Sequence, residues 1–334
     1  MNFYVETILG GINMKFAIVG VPSSAGARAL GQEKAPVAFR ETKLVDRLRE
    51  AGYEVIDYGD TESFCFVPDL QNPKAQNKSA VMKVCRLMAN KIERVLRDNF
   101  NPIILGGDCT IAIGSLIGIV NVFPNIGLLY FDGDADLNTP ETTTSGIFDG
   151  MVIAHIIGNR VKELSHLAKR YPILREENIA LFGLNPASGY LDPPEIKFLE
   201  SSSIVQFSTK TIRDAGVESA ARQALEVLKS KVHKIFVHFD VDVINANDMP
   251  AADIPHTNGL TFNEVARALK IFVESDSFLG MEITEFNADK DQDHRLATKL
   301  TAFITSTFKF VFNTNTFKYP TINIKLDQPP MYQP

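Results

Sequence analysis

The chain has 334 residues and a formal net charge of −6, without the basic surface that a nucleic-acid binder needs to track phosphates. Hydrophobic residues make up 45% of the sequence and charged residues 22%, which is typical of a globular protein with a sizeable core and unlike a disordered chain. No apolar run approaches the roughly 18 residues that cross a membrane, so we expect neither nucleic acid nor a membrane as a partner.

Eight short apolar runs, rich in Ile, Val, Leu and Phe, lie along the chain without clean alternation of polar and apolar residues. Such runs are typical of strands that are buried on both faces of a parallel sheet. In chain order the predicted strands are 15–21, 53–59, 102–107, 126–132, 178–184, 203–208, 234–240 and 278–284.

Helical patterns separate several of these runs, at 79–100, 216–232 and 261–275. At the start of the third pattern, Thr261 and Glu264 have the spacing of a capping box, which marks the N-terminus of a helix. Strands that alternate with helices predict an α/β fold with a mainly parallel sheet. Since there is no repeat and no linker, we predict a single domain over 15–312, followed by an extended Pro-, Asn- and Thr-rich tail over 313–334.

The cysteines favour a reducing compartment. Cys65, Cys85 and Cys109 lie far apart, form no CxxC motif and have an odd count, so no disulfide framework is expected. The N-terminal segment has no basic region before its apolar stretch, and we therefore expect no signal peptide. Together these features predict a cytoplasmic protein.

Acidic residues stand at the ends of several predicted strands. The segment DGDAD (132–136) follows the fourth strand, Asp240 and Asp242 close the seventh, and Cys109 and Glu285 follow the third and eighth. Ligands of parallel sheets bind outside the carboxyl ends of the strands, where residues two apart project the same way. Five carboxylates that meet in one cleft do not all stay ionised without cations, and divalent metals are the usual counter-ions. The spacing therefore predicts a metal site, the alternative being solvated Asp-Gly turns.

The order and spacing of these segments resemble the ureohydrolases, the family of arginase, agmatinase, guanidinobutyrase and formiminoglutamase. The resemblance covers about 15–312 and is greatest to the arginase branch, because of a TTTSG segment. It implies a three-layer α/β/α fold with an eight-stranded parallel sheet, and an oligomer of three or six copies. The matching motifs are GGDCT (106–110), DGDAD (132–136), NTPETTTSG (138–146), DVDVINAND (240–248) and EITEFN (282–287), and the segment 22–41 resembles an early loop of the family.

The resemblance also implies a pair of Mn²⁺ ions. The positions that would hold them are Cys109, Asp132, Asp134, Asp136, Asp240 and Asp242. Cys109 and Asp134 replace the two histidines of the family pattern, and a thiolate suits Zn²⁺ or Fe²⁺ better than Mn²⁺. Three alternatives stay open: Mn²⁺ by resemblance, Zn²⁺ or Fe²⁺ by ligand type, and no metal if Cys109 is only a small buried side chain.

Catalytic and substrate-binding roles follow from the same resemblance. The catalytic positions would be Asp136, Asp149 and Glu285, and the substrate-binding positions Asn138, Ser145, Ser188 and Glu285. Glu285 matches a guanidinium-binding glutamate, and Asp149 stands where arginases have a proton-shuttling histidine. Ile147 and Ser188 replace two residues that contact the amino acid part of arginine, so free L-arginine is a less favoured substrate.

The remaining histidines carry weaker signals. We expect His155, in an apolar helical run, to pack in the core. His238 precedes Asp240 by two residues, which is compatible with a side chain directed towards the site, although core packing is the favoured interpretation. His256 lies in a loop from which the cleft is within reach.

The sequence leaves three functions open. The first is a metal-dependent hydrolase that cleaves a guanidino C–N bond of a small molecule and releases urea. The second is a catalytically inactive or retuned relative that binds a cationic ligand or a partner without hydrolysis. The third keeps the metal but hydrolyses another C–N bond, such as that of an amidine or formimino group.

Overall fold

The computed structural model describes residues 14–158, 164 and 167–308, so the predicted tail over 313–334 lies outside the described residues. An eight-stranded sheet crosses the described chain in the order β2-β1-β3-β8-β7-β4-β5-β6, and all adjacent strands are parallel. The predicted α/β fold and its eight strands are confirmed. The strands are β1 (Lys15–Gly20), β2 (Glu54–Asp60), β3 (Asn101–Leu105), β4 (Ile126–Phe131), β5 (Ile179–Leu184), β6 (Val205–Ser208), β7 (Lys234–Asp240) and β8 (Phe278–Thr284).

Helices cover both faces of the sheet and give the fold its three layers. Alternate residues of β1 show the division, because Phe16 and Ile18 belong to one apolar cluster and Ala17 and Val19 to the other. The helices of the described residues are α1 (Ala35–Glu41), α2 (Leu44–Glu50), α3 (Lys78–Arg97), α4 (Ile111–Val120), α5 (Val152–Ile156), α6 (Pro193–Ser201), α7 (Thr209–Ala215), α8 (Val217–Lys229), α9 (Phe262–Val273) and α10 (Arg295–Phe308).

The three predicted helical patterns correspond to α3, α8 and α9, each shorter by a few residues than the pattern. Within the described ranges, no helix combines the length and the apolar character that a membrane crossing requires. The capping box of α9 is present: the Thr261 hydroxyl accepts the Glu264 N–H at 3.2 Å, and the Thr261 N–H donates to Glu264 Oε2 at 2.7 Å. These two bonds satisfy two backbone N–H groups that a helix start otherwise leaves unpaired.

Replacing Thr261 with alanine is expected to lower the free energy of unfolding by about 1 kcal/mol, because the N-terminus of α9 loses its side-chain acceptor. Chemical denaturation of the variant measures the effect. Asn263→Ala, at an exposed position of the same helix, is the matched control and should leave stability unchanged or slightly raised. Equal stability of the two variants would contradict the role given to the capping box.

Candidate functional site

An acidic cleft of about 360 Å³ lies at the carboxyl ends of β3, β8, β7 and β4, the four central strands of the sheet. All six predicted metal-ligand positions line it. Among the described side chains that line the cleft, nine are carboxylates and a single one, Arg28, is basic. The carboxylates are those of Asp132, Asp134, Asp136, Asp149, Asp192, Asp240, Asp242, Asp253 and Glu285. This excess of negative charge favours cationic occupants.

The loop after β3 carries Cys109 into the cleft. Gly106 and Gly107 have φ angles of 72° and 100°, a conformation that glycine adopts without strain and that turns the chain sharply at the end of the strand. The Cys109 thiol donates a hydrogen bond to Asp240 Oδ2 at 2.8 Å and lies 3.3 Å from His238 Nε2. Burial, and then the neighbouring Asp240 carboxylate, raise the pKa of this thiol well above its usual range.

Asp108, the residue before Cys109, has a structural role. One of its oxygens accepts hydrogen bonds from the Gly26 N–H at 3.0 Å and from the Ser23 hydroxyl at 3.2 Å. The other accepts the Thr110 N–H at 3.1 Å. These bonds fix the loop after β1 against the loop after β3, and both loops border the cleft.

The DGDAD segment after β4 holds carboxylates with unused oxygens. Asp132 Oδ1 accepts the Asp134 N–H at 2.6 Å, whereas the buried Asp132 Oδ2 and Asp134 Oδ1 have no hydrogen-bond partner among the described residues. Asp136 has a φ of 50°, in the left-handed region, and its Oδ2 accepts a hydrogen bond from the Tyr130 hydroxyl. Since buried polar atoms are nearly always paired, oxygens in this state are suited to an electropositive ligand.

The end of β7 places two more carboxylates opposite this segment. Asp240 Oδ1 accepts the Asp242 N–H at 2.7 Å, which orients Asp240 Oδ2 towards the Cys109 thiol. Asp242 Oδ1 accepts the Gly133 N–H at 3.2 Å and so joins the loops after β7 and β4. The backbone thus holds both carboxylates before any ligand binds.

Asp149 and Glu285 form a pair of carboxylates at one side of the cleft. The Cys109 N–H donates to Asp149 Oδ1 at 2.8 Å and to Glu285 Oε1 at 2.9 Å, while Gln32 Nε2 donates to Glu285 Oε2 at 3.2 Å. Glu285 has a φ of 61°, an unusual conformation for a residue other than glycine and one that collects at functional sites. The pair presents several acceptor oxygens to a planar cation with several N–H donors.

Burial and mutual repulsion favour the protonated forms of these carboxyl groups. Desolvation, followed by the charges of Asp242 and Asp134, raises the pKa of Asp132 well above its usual range. Desolvation also raises the pKa of Asp242, to about 6, although His256 opposes the shift. The pKa of Asp240 moves in the same direction, again mainly through desolvation. A bound cation reverses these preferences, so cation binding and proton release are coupled.

Two buried histidines face the acidic cluster. His238 is buried, as the sequence predicts, but its Nε2 also lies 3.6 Å from Asp132 Oδ2. His256 Nε2 lies 3.4 Å from Asp134 Oδ2 and 3.8 Å from Asp242 Oδ2. Burial alone would lower the pKa of His256, but the two carboxylates outweigh it and raise the pKa to about 9. The spacing of two residues between His238 and Asp240 was the available sequence signal for a residue on the same side of β7.

Three groups of side chains bring donor atoms close enough to share a metal ion, with the atoms of each group within 4.8 Å of one another. Asp136 belongs to none of them. The groups are Cys109, Asp132, His238 and Asp240; Asp134, Asp242 and His256; and Cys109, Asp149 and Glu285.

Of the predicted substrate-binding residues, Asn138 and Ser145 line the cleft and Ser188 does not. Asn138 Nδ2 donates to Asp192 Oδ2 at 3.0 Å, and the Ser145 hydroxyl accepts the Ile147 N–H at 3.3 Å. Both side chains are therefore held in place by the protein itself.

The cleft residues that the sequence did not single out include Tyr190, Arg28, Asp192 and Asp253. The Ser188 hydroxyl accepts the Tyr190 N–H at 3.2 Å, and Tyr190 lines the cleft, where its ring stacks on that of His256. Arg28, half exposed in the loop after β1, lies 4.0 Å from the Asp253 carboxylate. Arg28 lies in the segment 22–41 that resembles an early loop of the family, but that resemblance assigns no role to its side chain, and the local sequence around Tyr190 gives no signal.

The arrangement defines a class of protein: a three-layer α/β protein with an acidic, metal-ligand-rich cleft at the carboxyl ends of its central strands. A sequence model described as the arginase family matches residues 14–308. An arginase of Staphylococcus aureus is 30% identical over 295 residues, which cover 87% of this chain and 96% of that protein. Human mitochondrial arginase-2 is 31% identical over 266 residues, 78% of this chain and 74% of that protein.

Solved structures give the same result. The crystal structure of arginase from Bacillus cereus has a TM-score of 0.81 and 30% identity, covering 88% of this chain and 98% of that one. Formimidoylglutamase from Bacillus subtilis shares the fold, with a TM-score of 0.71 and 18% identity. The chain belongs to the arginase family, and the resemblance to ureohydrolases is confirmed.

Proposed function

We propose that the protein is a metal-dependent hydrolase that cleaves the guanidino C–N bond of a small molecule and releases urea. The observation that carries the proposal is the cleft itself, in which buried carboxylate oxygens that accept no hydrogen bond within the described ranges adjoin the acidic pair Asp149 and Glu285. Membership of the arginase family supports the same reaction class.

The residues of the cleft fit a divalent metal. Asp132 Oδ2 and Asp134 Oδ1 accept no hydrogen bond from the described part of the chain, and the donor set combines carboxylate, thiol and imidazole. In the family pattern the metal would be held by Cys109, Asp132, Asp134, Asp136, Asp240 and Asp242. A bound divalent cation lowers the pKa of water and stabilises the negative charge that develops during hydrolysis. Mn²⁺ follows from the resemblance, while the thiol favours Zn²⁺ or Fe²⁺.

The acidic pair would orient the substrate. Glu285 accepts hydrogen bonds from the guanidinium group, and Asp136, held by Tyr130, hydrogen-bonds the attacking water. Asp149, beside Glu285, returns a proton to the departing amine. Asn138 and Ser145 bind the other end of the substrate, and Arg28 places a positive charge near it. Ser188 acts through its contact with Tyr190 rather than by touching the substrate.

The test is urea release from a panel of guanidino compounds, measured with protein loaded separately with Mn²⁺, Zn²⁺ and Fe²⁺. We expect at least one compound to be hydrolysed. This activity should be lost when the metal is removed with a chelator and should return when metal is added. Metal binding without urea release from any compound would overturn the proposal and favour a binding protein for cationic ligands. Hydrolysis of amidine or formimino compounds alone, with release of an amide and an amine, would assign the protein to another C–N bond.

Arg28 gives a prediction about the substrate. If the substrate carries a carboxylate, Arg28→Met should raise its KM by about tenfold, the value of one partly exposed charge-assisted hydrogen bond. The KM of an alkylguanidine without a carboxylate should not change, which makes that compound the internal control. Equal effects on the two compounds would exclude Arg28 as the carboxylate contact.

Assembly into a trimer or hexamer and a cytoplasmic location stay predictions. Analytical ultracentrifugation of the purified protein would determine the oligomeric state.

A further inference from the structure

We propose that His238 and His256, which lie outside the family pattern of ligands, are metal ligands in this protein and supply the imidazoles missing at Cys109 and Asp134. His238 would join Cys109 and the neighbouring aspartates in one site, and His256 would join Asp134 in the other. The proposal deepens the proposed function and rests on it for the presence of metal in the cleft.

The geometry around His238 suits a four-ligand site. A tetrahedral ion with bonds of about 2.0 to 2.3 Å holds its ligand atoms about 3.3 to 3.7 Å apart. His238 Nε2 lies 3.3 Å from Cys109 Sγ and 3.6 Å from Asp132 Oδ2. Cys109 Sγ is closer to Asp240 Oδ2, at 2.8 Å, because a hydrogen bond joins them, and loss of the thiol proton would let that distance increase. All four side chains are buried.

The surroundings of His238 fix the ring in an orientation suited to metal binding. Its Nδ1 lies 2.7 Å from Glu282 Oε1, and the Ser115 hydroxyl donates to Glu282 Oε2 at 2.6 Å. An Nδ1–H that donates to Glu282 leaves the lone pair on Nε2, the atom that faces the cluster. Metal-bound histidines are commonly held by a carboxylate in this way. Stacking on Tyr130, with ring centroids 4.1 Å apart, fixes the remaining freedom of the ring.

His256 supplies an independent observation. The side chain is fully buried, yet neither ring nitrogen has a hydrogen-bond partner among the residues that the structure describes. Its Nε2 points at Asp134 Oδ2 and Asp242 Oδ2, at 3.4 and 3.8 Å. A buried ring nitrogen without a hydrogen bond costs free energy, and a metal ion shared with the two aspartates would give Nε2 a direct bond.

The packing around His256 is adapted to the ring. Tyr190 stacks on one face with centroids 4.8 Å apart and an angle of 9°. A Cβ on Gly133 would lie only 2.6 Å from His256 Nδ1, so the glycine of the DGDAD segment makes room for the imidazole. The sequence therefore combines a histidine, a stacking partner and a small residue at one place.

The donor sets predict which metal is preferred. The site with His238 offers sulfur, nitrogen and oxygen, a combination that suits Zn²⁺ and its spectroscopic substitute Co²⁺ better than Mn²⁺. The site with His256 offers one nitrogen and carboxylate oxygens, which suits several dications. We therefore expect Zn²⁺ to occupy the first site more tightly than Mn²⁺ does.

X-ray absorption spectroscopy of the full-length, unmutated protein loaded with zinc tests the ligands directly. The expected spectrum contains a sulfur at about 2.3 Å and the outer-shell scattering of imidazole, averaging one ring for each metal ion. A sulfur without imidazole scattering would overturn the proposal. This measurement needs no variant and no enzymatic activity.

Cobalt titration of variants separates the two sites. The unmutated protein should bind two Co²⁺ ions, one of which gives a thiolate charge-transfer band. His256→Gln should bind one ion and keep the band. His238→Gln should lower the Co²⁺ affinity of the site that gives the band. The loss should exceed the roughly 10- to 100-fold that is expected when a residue that only orients a ligand, such as Glu282, is removed. His233→Gln, at an exposed position, is the matched control and should titrate like the unmutated protein.

The outcomes distinguish this proposal from the proposed function. Urea release without imidazole ligands would refute the histidine ligands and keep the hydrolase. Imidazole ligands without urea release would keep the histidine ligands and refute the hydrolase. Unchanged cobalt titrations of both histidine variants would refute the proposal, and if a variant does not fold, the absorption spectrum of the unmutated protein decides.

Discussion

Replacing Glu285 with glutamine should lower kcat/KM for the guanidino substrate by about 10²- to 10³-fold. Glutamine keeps the shape of the side chain and one acceptor oxygen, so the bond from the Cys109 N–H can survive. The negative charge that faces the guanidinium is lost, and with it one of two paired hydrogen bonds. Steady-state kinetics by urea release, with metal content measured on the same sample, gives the result.

The control for this variant is Glu226→Gln, which makes the same chemical change on the exposed face of α8. It should leave kcat/KM unchanged. The Glu285 variant should retain its metal and its fold, because the loss is assigned to substrate contact. A variant with full activity, or one inactive only because it lost its metal, would remove Glu285 from the substrate-binding role.

The metal-free protein should become less stable as the pH rises from about 4 to about 9. A carboxyl group whose pKa is raised by folding binds protons more tightly in the folded state, so its stabilising effect is lost as the pH passes its folded pKa. For Asp242, with a pKa raised from 3.8 to about 6, the loss is about 3 kcal/mol. The pKa of His256 is raised from 6.5 to about 9, so its stabilising effect is also lost as the pH rises through that range.

Denaturation at several pH values, with and without saturating Zn²⁺, measures this effect. Bound metal should flatten the pH dependence, because it replaces protons as the counter-charge. Asp242→Asn should stabilise the metal-free protein at pH 8 by about 3 kcal/mol and should reduce its stabilisation by metal. Glu226→Gln serves again as the control. Stability of the metal-free protein that rises with pH in the same range would contradict the electrostatic description of the cleft.

The fold could be predicted because its strands are apolar on both faces and its helices are amphipathic. The runs at 126–132 and 234–240 stand out from their surroundings and became β4 and β7. Helix α4 was harder to recognise, since all its residues are buried and no 3.6-residue period distinguishes it from a strand. Helix α6 begins with two prolines after Asp192, which forms a capping box with Glu195, and these are sequence signals of a helix start.

The site could be predicted only where strand topology determines it. The aspartates after β4 and β7 had to meet, because parallel strands end at the same edge of the sheet. Arg28 and Tyr190 enter the cleft from loops after β1 and β5, and loop conformation does not follow from a short sequence pattern. Alternation along β7 places His238 on the same side of the strand as Asp240. It does not determine whether Nε2 or a face of the imidazole ring contacts the carboxylates.

The left-handed conformations of Asp136 and Glu285 were also outside the reach of sequence reasoning. Their φ angles are 50° and 61°, although neither residue is glycine. Bonds from Tyr130 and from the Cys109 N–H hold the two side chains, and such long-range contacts can compensate for the local strain. Local propensity predicts neither conformation, because the compensating partners are distant in the chain.

The most direct measurement is metal content per chain by elemental mass spectrometry, on protein purified without a chelator and without an affinity tag. We expect close to two metal ions per chain, with zinc or iron in the site that contains Cys109. Protein that contains none, and takes up none when Zn²⁺, Fe²⁺ or Mn²⁺ is supplied, would contradict a metal-dependent hydrolase and leave the cleft as a binding site for organic cations.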